Sequence, residues 1–462
     1  MSQFPLVKLS ELAEISGGIT KNSKRSALPI QRPYLAVANV YANRLDLEKV
    51  STIGVSEGEL GRAELKDGDL IVVEGNGSLS QLGRVALWRG EIKGCLHQNH
   101  LIKVRPGEEV ESKWILYWLM SPTGRRAIEA VGSSTSGLHT LSLSKVSSLP
   151  ILLAPKEDQY RAIAYIELHL TRLDETIATL QAIQAKLKQA RASILKAAVE
   201  GRLVETEAEL ARKAGVLFKD ARILLLRCLE TKKMSAKEKA ADKKTAKPWK
   251  PPTAPTTPLE FPLPEGWSLV SMEQIADVSG GLAKDSKLAE GETLPYLRVA
   301  NVQRGRLDLN DVKTIICPSE RVEALLLQKG DILLNEGGDR DKLGRGWVWD
   351  NQIKRCIHQN HVFKARLACS GIKPEFISHY ANTEGDRYFQ QEGKQTTNLA
   401  SISLSKVRSL PIALPPSAEQ VRILAEVDRR FSALDQVEAT VNASLRRCDQ
   451  LRQAVLKRAL GG

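Results

Sequence analysis

The sequence predicts an α+β chain in which two similar β-rich domains are separated by a long antiparallel two-helix coiled coil, the whole forming a pseudo-twofold internal repeat. Three observations predict it. Most of the chain is written twice at an offset of about 261 residues. Two long stretches carry apolar residues at coiled-coil spacing, and the segments before them alternate short apolar runs with glycine and charged turns.

The duplication is read directly. SGG at 16–18 returns at 279–281, PYLAVANV (33–40) as PYLRVANV (295–302), and RLDL (44–47) at 306–309. KDGDLIVVEG (66–75) returns as QKGDILLNEG (328–337), LGR (82–84) at 343–345, CLHQNH (95–100) as CIHQNH (356–361), and LSLSKVSSLPI (141–151) as ISLSKVRSLPI (402–412). Five segments follow: a β-rich domain over 1–155, a long helix over 156–201, an irregular stretch over 202–262, a second β-rich domain over 263–416 and a second long helix over 417–462.

Within each copy, DLIVVEG, RVALW and NHLIKVR have the composition of short strands. One helix is expected near 112–130 and its counterpart near 374–390. LPILLAP (149–155) and LPIALPP (410–416) read as last strands, ended by prolines that lead into the long helices. In the first long helix Ile163, Ile166, Leu170, Leu173, Ile177, Leu180, Leu187 and Ile194 form one stripe; in the second, Leu424, Val427, Phe431, Leu434, Val441, Leu445, Cys448 and Val455 do. The stripe is interrupted at Gln184 and Arg191, and Arg191 aligns with Arg452; either these polar residues set the register of the seam, or the seam drifts to Ile183 and Ala190. Antiparallel pairing is expected, because the first helix, on the order of 60 Å long, then delivers the chain to where the second domain begins. Between the copies, 205–230 reads as an amphipathic helix, and 231–262 as a flexible basic linker with PPTAPTTP at 251–258.

Composition narrows the function. A net charge of +13 favours an anionic partner, nucleic acid before a membrane surface. No apolar run reaches the ~20 residues of a membrane span, and no signal peptide is visible at the start. Six cysteines without CxxC pairs favour a reducing, cytoplasmic setting.

Catalytic patterns are scarce. There is no GxxxxGK[ST] phosphate loop and no glycine-rich dinucleotide or methyl-donor fingerprint. CLHQNH has no second ligand pair at finger spacing, so structural hydrogen bonding or nucleic-acid contact outweighs metal binding. Asp69, Glu91 and Lys93 match a loose nuclease pattern, but the second copy has Asp331, Gln352 and Lys354, losing one carboxylate. What remains is binding chemistry. The loops GNGSLSQLGR (75–84) and GGDRDKLGR (337–345) diverge between shared anchors, as expected if each copy reads different bases on one scaffold. They contribute Asn76, Ser78, Gln81 and Arg84 in the first copy and Arg340, Lys342 and Arg345 in the second. Lys21, Lys24 and Arg25, with Lys284 and Lys287, are candidate phosphate contacts, as are Ser134 and Thr135 with Gln395 and Thr396; His97 and Asn99, with His358 and Asn360, complete the set.

The paired repeats, EDQYRAIAYIE (157–167) with AEQVRILAEVD (418–428), ILKAAVEGRLV (194–204), TEAELAR (206–212) and LPEGW (263–267) together resemble the specificity subunit of Type I restriction–modification systems. The resemblance spans nearly the whole chain, although the second long helix ends in VLKRALGG where the first continues as ILKAAVEGRLV. It implies two target recognition domains that each read half of a split, asymmetric double-stranded DNA sequence, with the long helices setting the gap. It also implies docking of two modification subunits and, through them, ATP-dependent restriction subunits, with no membrane partner. No cofactor is expected on this chain; S-adenosylmethionine, ATP and Mg²⁺ are implied for the partners. Ile163, Leu170, Leu173, Ile177, Leu180, Leu187, Leu424, Phe431, Leu434 and Val441 are then the seam or docking residues. The rival readings are a coiled-coil adaptor that does not read sequence, and the metal-dependent nuclease.

Overall fold

A computed structural model describes residues 4–135, 137–241, 249–284, 290–395 and 400–461. The chain divides into two compact units, Met1–Ile183 with Thr440–Gly462, and Gln184–Ala439. Compactness therefore cuts through both long helices rather than at their ends.

In the first unit the alternating runs form a four-stranded antiparallel sheet in the order Ala13–Gly17, Leu101–Pro106, Leu70–Val73, Val85–Leu87. Leu70–Val73 is buried on both faces, which is why it reads as an unbroken apolar run rather than an alternating one. A second sheet pairs Leu96–His97 parallel with Ile30–Leu35, which runs antiparallel to Ser51–Val55. A third joins Ser133–Thr135, Leu138–Thr140 and Gly75–Asn76. The second unit repeats all three: Ala276–Ser279, Val362–Leu367, Ile332–Asn335, Gly346–Val348; then Ile357–His358, Glu292–Leu297, Lys313–Cys317; then Lys394–Gln395, Ala400–Ser401, Gly337–Gly338.

Two motifs of the repeat explain one another here. A Cβ on Gly18 would lie 2.1 Å from the His97 carbonyl oxygen, and one on Gly281 the same distance from that of His358. Only glycine lets the SGG segment run that close to the CLHQNH strand, where Ile19 and Leu282 each donate a backbone hydrogen bond to the same carbonyls at 2.8 Å.

The expected helix at 112–130 is two helices, Ser112–Met120 and Pro122–Val131. Ser121 Oγ accepts from Gly124 N–H, and Pro122, with no N–H to donate, opens the second helix. Its counterpart breaks likewise into Pro374–Asn382 and Glu384–Glu392. The expected 205–230 helix is also two, Glu207–Ala214 and Arg222–Ala241, separated at Gly215, whose φ of 67° closes the first. Arg222–Ala241 extends into the stretch read as flexible linker, so the linker expectation is corrected as far as Ala241. Its Cys228 forms a disulfide with Cys369, a pairing that sequence spacing did not suggest.

The long helices are Lys156–Val199 and Ser417–Ala459. Within the first unit, Ile163, Ile166 and Leu170 share a core with Leu456, Leu460, Trp114 and Ile115. In the second unit, Ile194, Leu195 and Val199 share one with Ile423, Leu424, Val427 and Phe431. Leu173, Ile177, Leu180 and Leu434 are half-buried, and Leu187 and Val441 buried, so the seam residues turn inward. Early residues of one helix meet late residues of the other in each unit, which is antiparallel pairing. Arg191 pairs with Asp435 and, at 2.7 Å, with Glu438, while Arg452 pairs with Asp174. Since 191 and 452, and 174 and 435, are both 261 apart, the same bridge occurs in each unit with the helices exchanging roles.

Candidate nucleic-acid interface

Each unit presents its divergent loop from the third small sheet. In the first unit Gly75–Asn76 pairs with Leu138–Thr140, and Leu79–Gln81 then makes a turn of 3-10 helix. Asn76 Oδ1 accepts from Ser78 N–H at 2.9 Å, and the hydroxyls of Ser78 and Ser80 lie 3.0 Å apart. Gln81 is exposed. The loop is gripped from behind by Arg125, which donates to the carbonyls of Leu82 at 2.6 Å, Ser80 at 3.3 Å and Leu79 at 3.4 Å. In the second unit Arg304 donates to the Asp341 carbonyl at 2.9 Å and to Asp386 at 2.7 Å, while Arg340 donates to Gln390 O at 3.1 Å and Lys342 pairs with Asp339. Two loops of different sequence are thus held by arginines from different elements.

Arg84 and Arg345, at equivalent positions, are half-buried, and the Nε of each is buried without a protein partner. Burial lowers the Arg345 pKa. The Arg84 guanidinium lies 5.7 Å from the Tyr41 ring, and Arg44 lies 4.7 Å from the same ring. Tyr41 is exposed, so the first unit carries an aromatic flanked by two cations. Gln303 occupies that place in the second unit.

Several expected contacts go elsewhere. His97 and His358 are fully buried, and their Nδ1 atoms bond the carbonyls of Ala63 at 2.9 Å and Val362 at 2.6 Å. Burial pushes both imidazoles down to about 4. Neither can meet a phosphate or base; both are core residues, because each strand of the second sheet turns them inward. The neighbours His100 and His361 are the exposed ones, bonded through Nδ1 to Glu74 at 2.8 Å and to Glu336 at 2.5 Å. Asn99 and Asn360 are half-buried beside them. His97 ends its strand, whereas Asn99 and His100 form the turn that follows it.

Arg25 is corrected as well: it forms an ion pair with Glu59 at 2.7 Å and donates to the carbonyls of Thr20 and Gly54. That pairing holds the Glu59 carboxyl down at about 2. Lys21, Lys24 and Lys284 are exposed. Lys287 and Thr396 lie outside the described residues. Ser134, Thr135 and Gln395 sit on described strands, Ser133–Thr135 and Lys394–Gln395, but their side chains are not among those described. Of the nuclease pattern, Asp69 is buried in a bidentate pair with Arg105, both contacts 2.7 Å, and Glu91 accepts the Arg89 N–H at a turn. Asp331 and Arg366 repeat the buried pair.

Residues 264–447 match the model of the Type I restriction modification DNA specificity domain. The EcoKI specificity subunit of Escherichia coli K12 is 22% identical over 398 residues, covering 85% of this chain and 74% of that protein. The StySPI specificity subunit of Salmonella potsdam is 21% identical over 461 residues, covering 98% and 88%. Over most of its length the chain is thus similar to specificity subunits of Type I restriction enzymes. A solved chain from a study of assembly and conformational transition in a type I R-M system shares its fold, with a TM-score of 0.60 at 16% identity over 99% of this chain and 97% of that one.

The matched domain begins at the LPEGW segment and ends inside the second long helix. The first unit lies largely outside the match, yet it carries the same three sheets and the same buried Asp–Arg pair. No helix among the described residues is long and apolar enough to cross a membrane.

Proposed function

We propose that this subunit recognises a split, asymmetric DNA target, one half through each β-rich domain, and carries modification subunits and, through them, restriction subunits to it. One observation supports the reading most: two copies of one scaffold present loops of different sequence, 75–84 and 337–345, each anchored by its own arginine. A shared scaffold with exchanged side chains is how one fold reads two base sequences. The methyl donor, ATP and Mg²⁺ belong to the partners on this reading. The first long helix runs unbroken from one unit into the other, which supports a role in setting the gap between half-targets.

The test is to exchange residues 75–82 for the loop of another specificity subunit and map methylated sequences in cells that also carry the partner subunits. Half of the target changes and the other half stays. A change in both halves, or in neither, overturns the reading.

A further inference from the structure

One constellation of side chains recurs in both units at the root of the divergent loop. His100 and His361 are 57% and 54% exposed, and each is bonded through Nδ1 to a carboxylate, Glu74 at 2.8 Å and Glu336 at 2.5 Å. An ionised carboxylate can only accept, so the ring proton lies on Nδ1. On the other side of each ring, Nε2 lies 3.5 Å from Asn99 Nδ2 in the first unit and 3.4 Å from Asn360 Nδ2 in the second. An amide nitrogen can only donate, so Nε2 accepts, and the neutral ring links carboxylate to carboxamide. Contacts of that length are weak singly, so they orient the amide more than they stabilise the fold.

The backbone fixes all three residues. Glu74 N–H donates to His100 O at 3.0 Å and Glu336 N–H to His361 O at 2.9 Å, while Asn99 N–H donates to Ile19 O at 3.0 Å and Asn360 N–H to Leu282 O at 2.9 Å. Leu141 N–H and Ile402 N–H bond the Glu74 and Glu336 carbonyls at 2.7 and 2.8 Å. Among the described residues no hydrogen bond occupies Oδ1 of either asparagine or Oε1 of either glutamate, and none of these four atoms is buried. Each trio therefore presents open acceptors and one net negative charge. That repels a phosphate and suits the hydrogens of an amino group. The loops diverge from Asn76 and Gly338 onward, so what both copies keep must suit something both half-targets share.

We propose that Asn99 and Asn360 each accept a hydrogen bond from the exocyclic amino group of a major-groove base, adenine N6 or cytosine N4, at the equivalent place in the two half-targets. The contact rests on the recognition reading above. Glu74–His100 and Glu336–His361 are positioning pairs: the glutamate sets the ring's tautomer, and the ring sets which end of the carboxamide faces outward. An amide turned through 180° offers N–H groups where the amino group needs an oxygen.

The experiment uses the full chain in complex with its modification subunits, on the duplex that methylation mapping identifies, with competition followed by fluorescence anisotropy. In one set of competitors each adenine in turn is replaced by purine, and in the other each cytosine by 2-pyrimidinone, so that a single amino group is removed. One replacement in each half weakens competition about tenfold, ~1.4 kcal/mol, and both fall in the same set. Asn99→Ala abolishes that penalty in one half only, and Asn360→Ala in the other half only. His100→Ala and Glu74→Ala reduce the penalty in the first of these halves, and Glu74→Gln, whose amide oxygen still accepts from Nδ1, retains it; a merely structural role would weaken all duplexes alike. A penalty that survives Asn99→Ala overturns the contact while the recognition reading stands. So does an Asn99→Ala chain that binds every duplex equally less well with a shallower salt slope, as loss of a phosphate contact would give. Sensitive positions that fall in different sets for the two halves overturn the shared contact. A native complex with no preference among duplexes sinks the recognition reading and this contact with it.

Discussion

The fate of CLHQNH shows how much the boundary between a strand and a turn decides. His97 and His100 are three residues apart, yet one is enclosed at 0% exposure and the other faces solvent against Glu74. The buried imidazoles carry a pH signature. With His97, His358 and His379 all pushed down to about 4 by burial, the folded chain resists protonation that the unfolded chain accepts near 6.5. Stability is therefore full above about pH 6.5 and falls as pH drops toward 4, by up to ~1.4 kcal/mol per unit for each group. Urea unfolding from pH 7 to 5 should show that slope, and it should flatten in a His97→Gln, His358→Gln variant. Asp69 makes a second case: Asp69→Asn breaks a buried bidentate pair and should cost about 3–5 kcal/mol in denaturant midpoint analysis, against little change at exposed Lys21→Ala. Arg125→Ala should loosen the 79–82 carbonyls and weaken discrimination in one half of the methylated target only, read by competition between cognate and mismatched duplexes.

Among the elements, the long helices follow from their heptads, and their seam residues turn inward in both units. The polar interruption at Arg191 has a physical account: it sits at the edge of the seam and reaches Asp435 and Glu438 on the opposite helix. Such part-exposed pairs are worth about 0.2–1 kcal/mol, so they select register more than they stabilise. A double-mutant cycle on Arg191 and Asp435 should return a coupling of that size, and Arg191→Asp with Asp435→Arg should recover most of the loss. The stretch near 112–130 reads as one helix in sequence, although Ser121–Pro122 carries a cap and a first-turn proline. The apolar run WILYWLM, buried almost throughout, masked that signal. The start of the linker departs from expectation for the opposite reason. The lysines from 232 onward read as solvated chain, yet they continue a helix whose earlier residues Leu224 and Cys228 are buried in the second unit's core.

For the molecule as a whole, the expected consequence of its repeat is separability. Inserting four residues near Gln184, about one helical turn or ~6 Å, should lengthen the gap between methylated half-targets without changing either half. Salt dependence should report phosphate contacts, with log K falling ~0.9 per contact per tenfold rise in salt. The sequence by itself determined the duplication, the fold class and the seam, because these are written as periodicity and repeated motifs that survive without coordinates. Tertiary structure alone decided which members of a motif face solvent, which arginine holds each loop, and that Arg25 and Asp69 are committed to partners 34 and 36 residues away. Those outcomes depend on contacts between distant segments, and no local pattern encodes which distant group a charge or a carbonyl will meet.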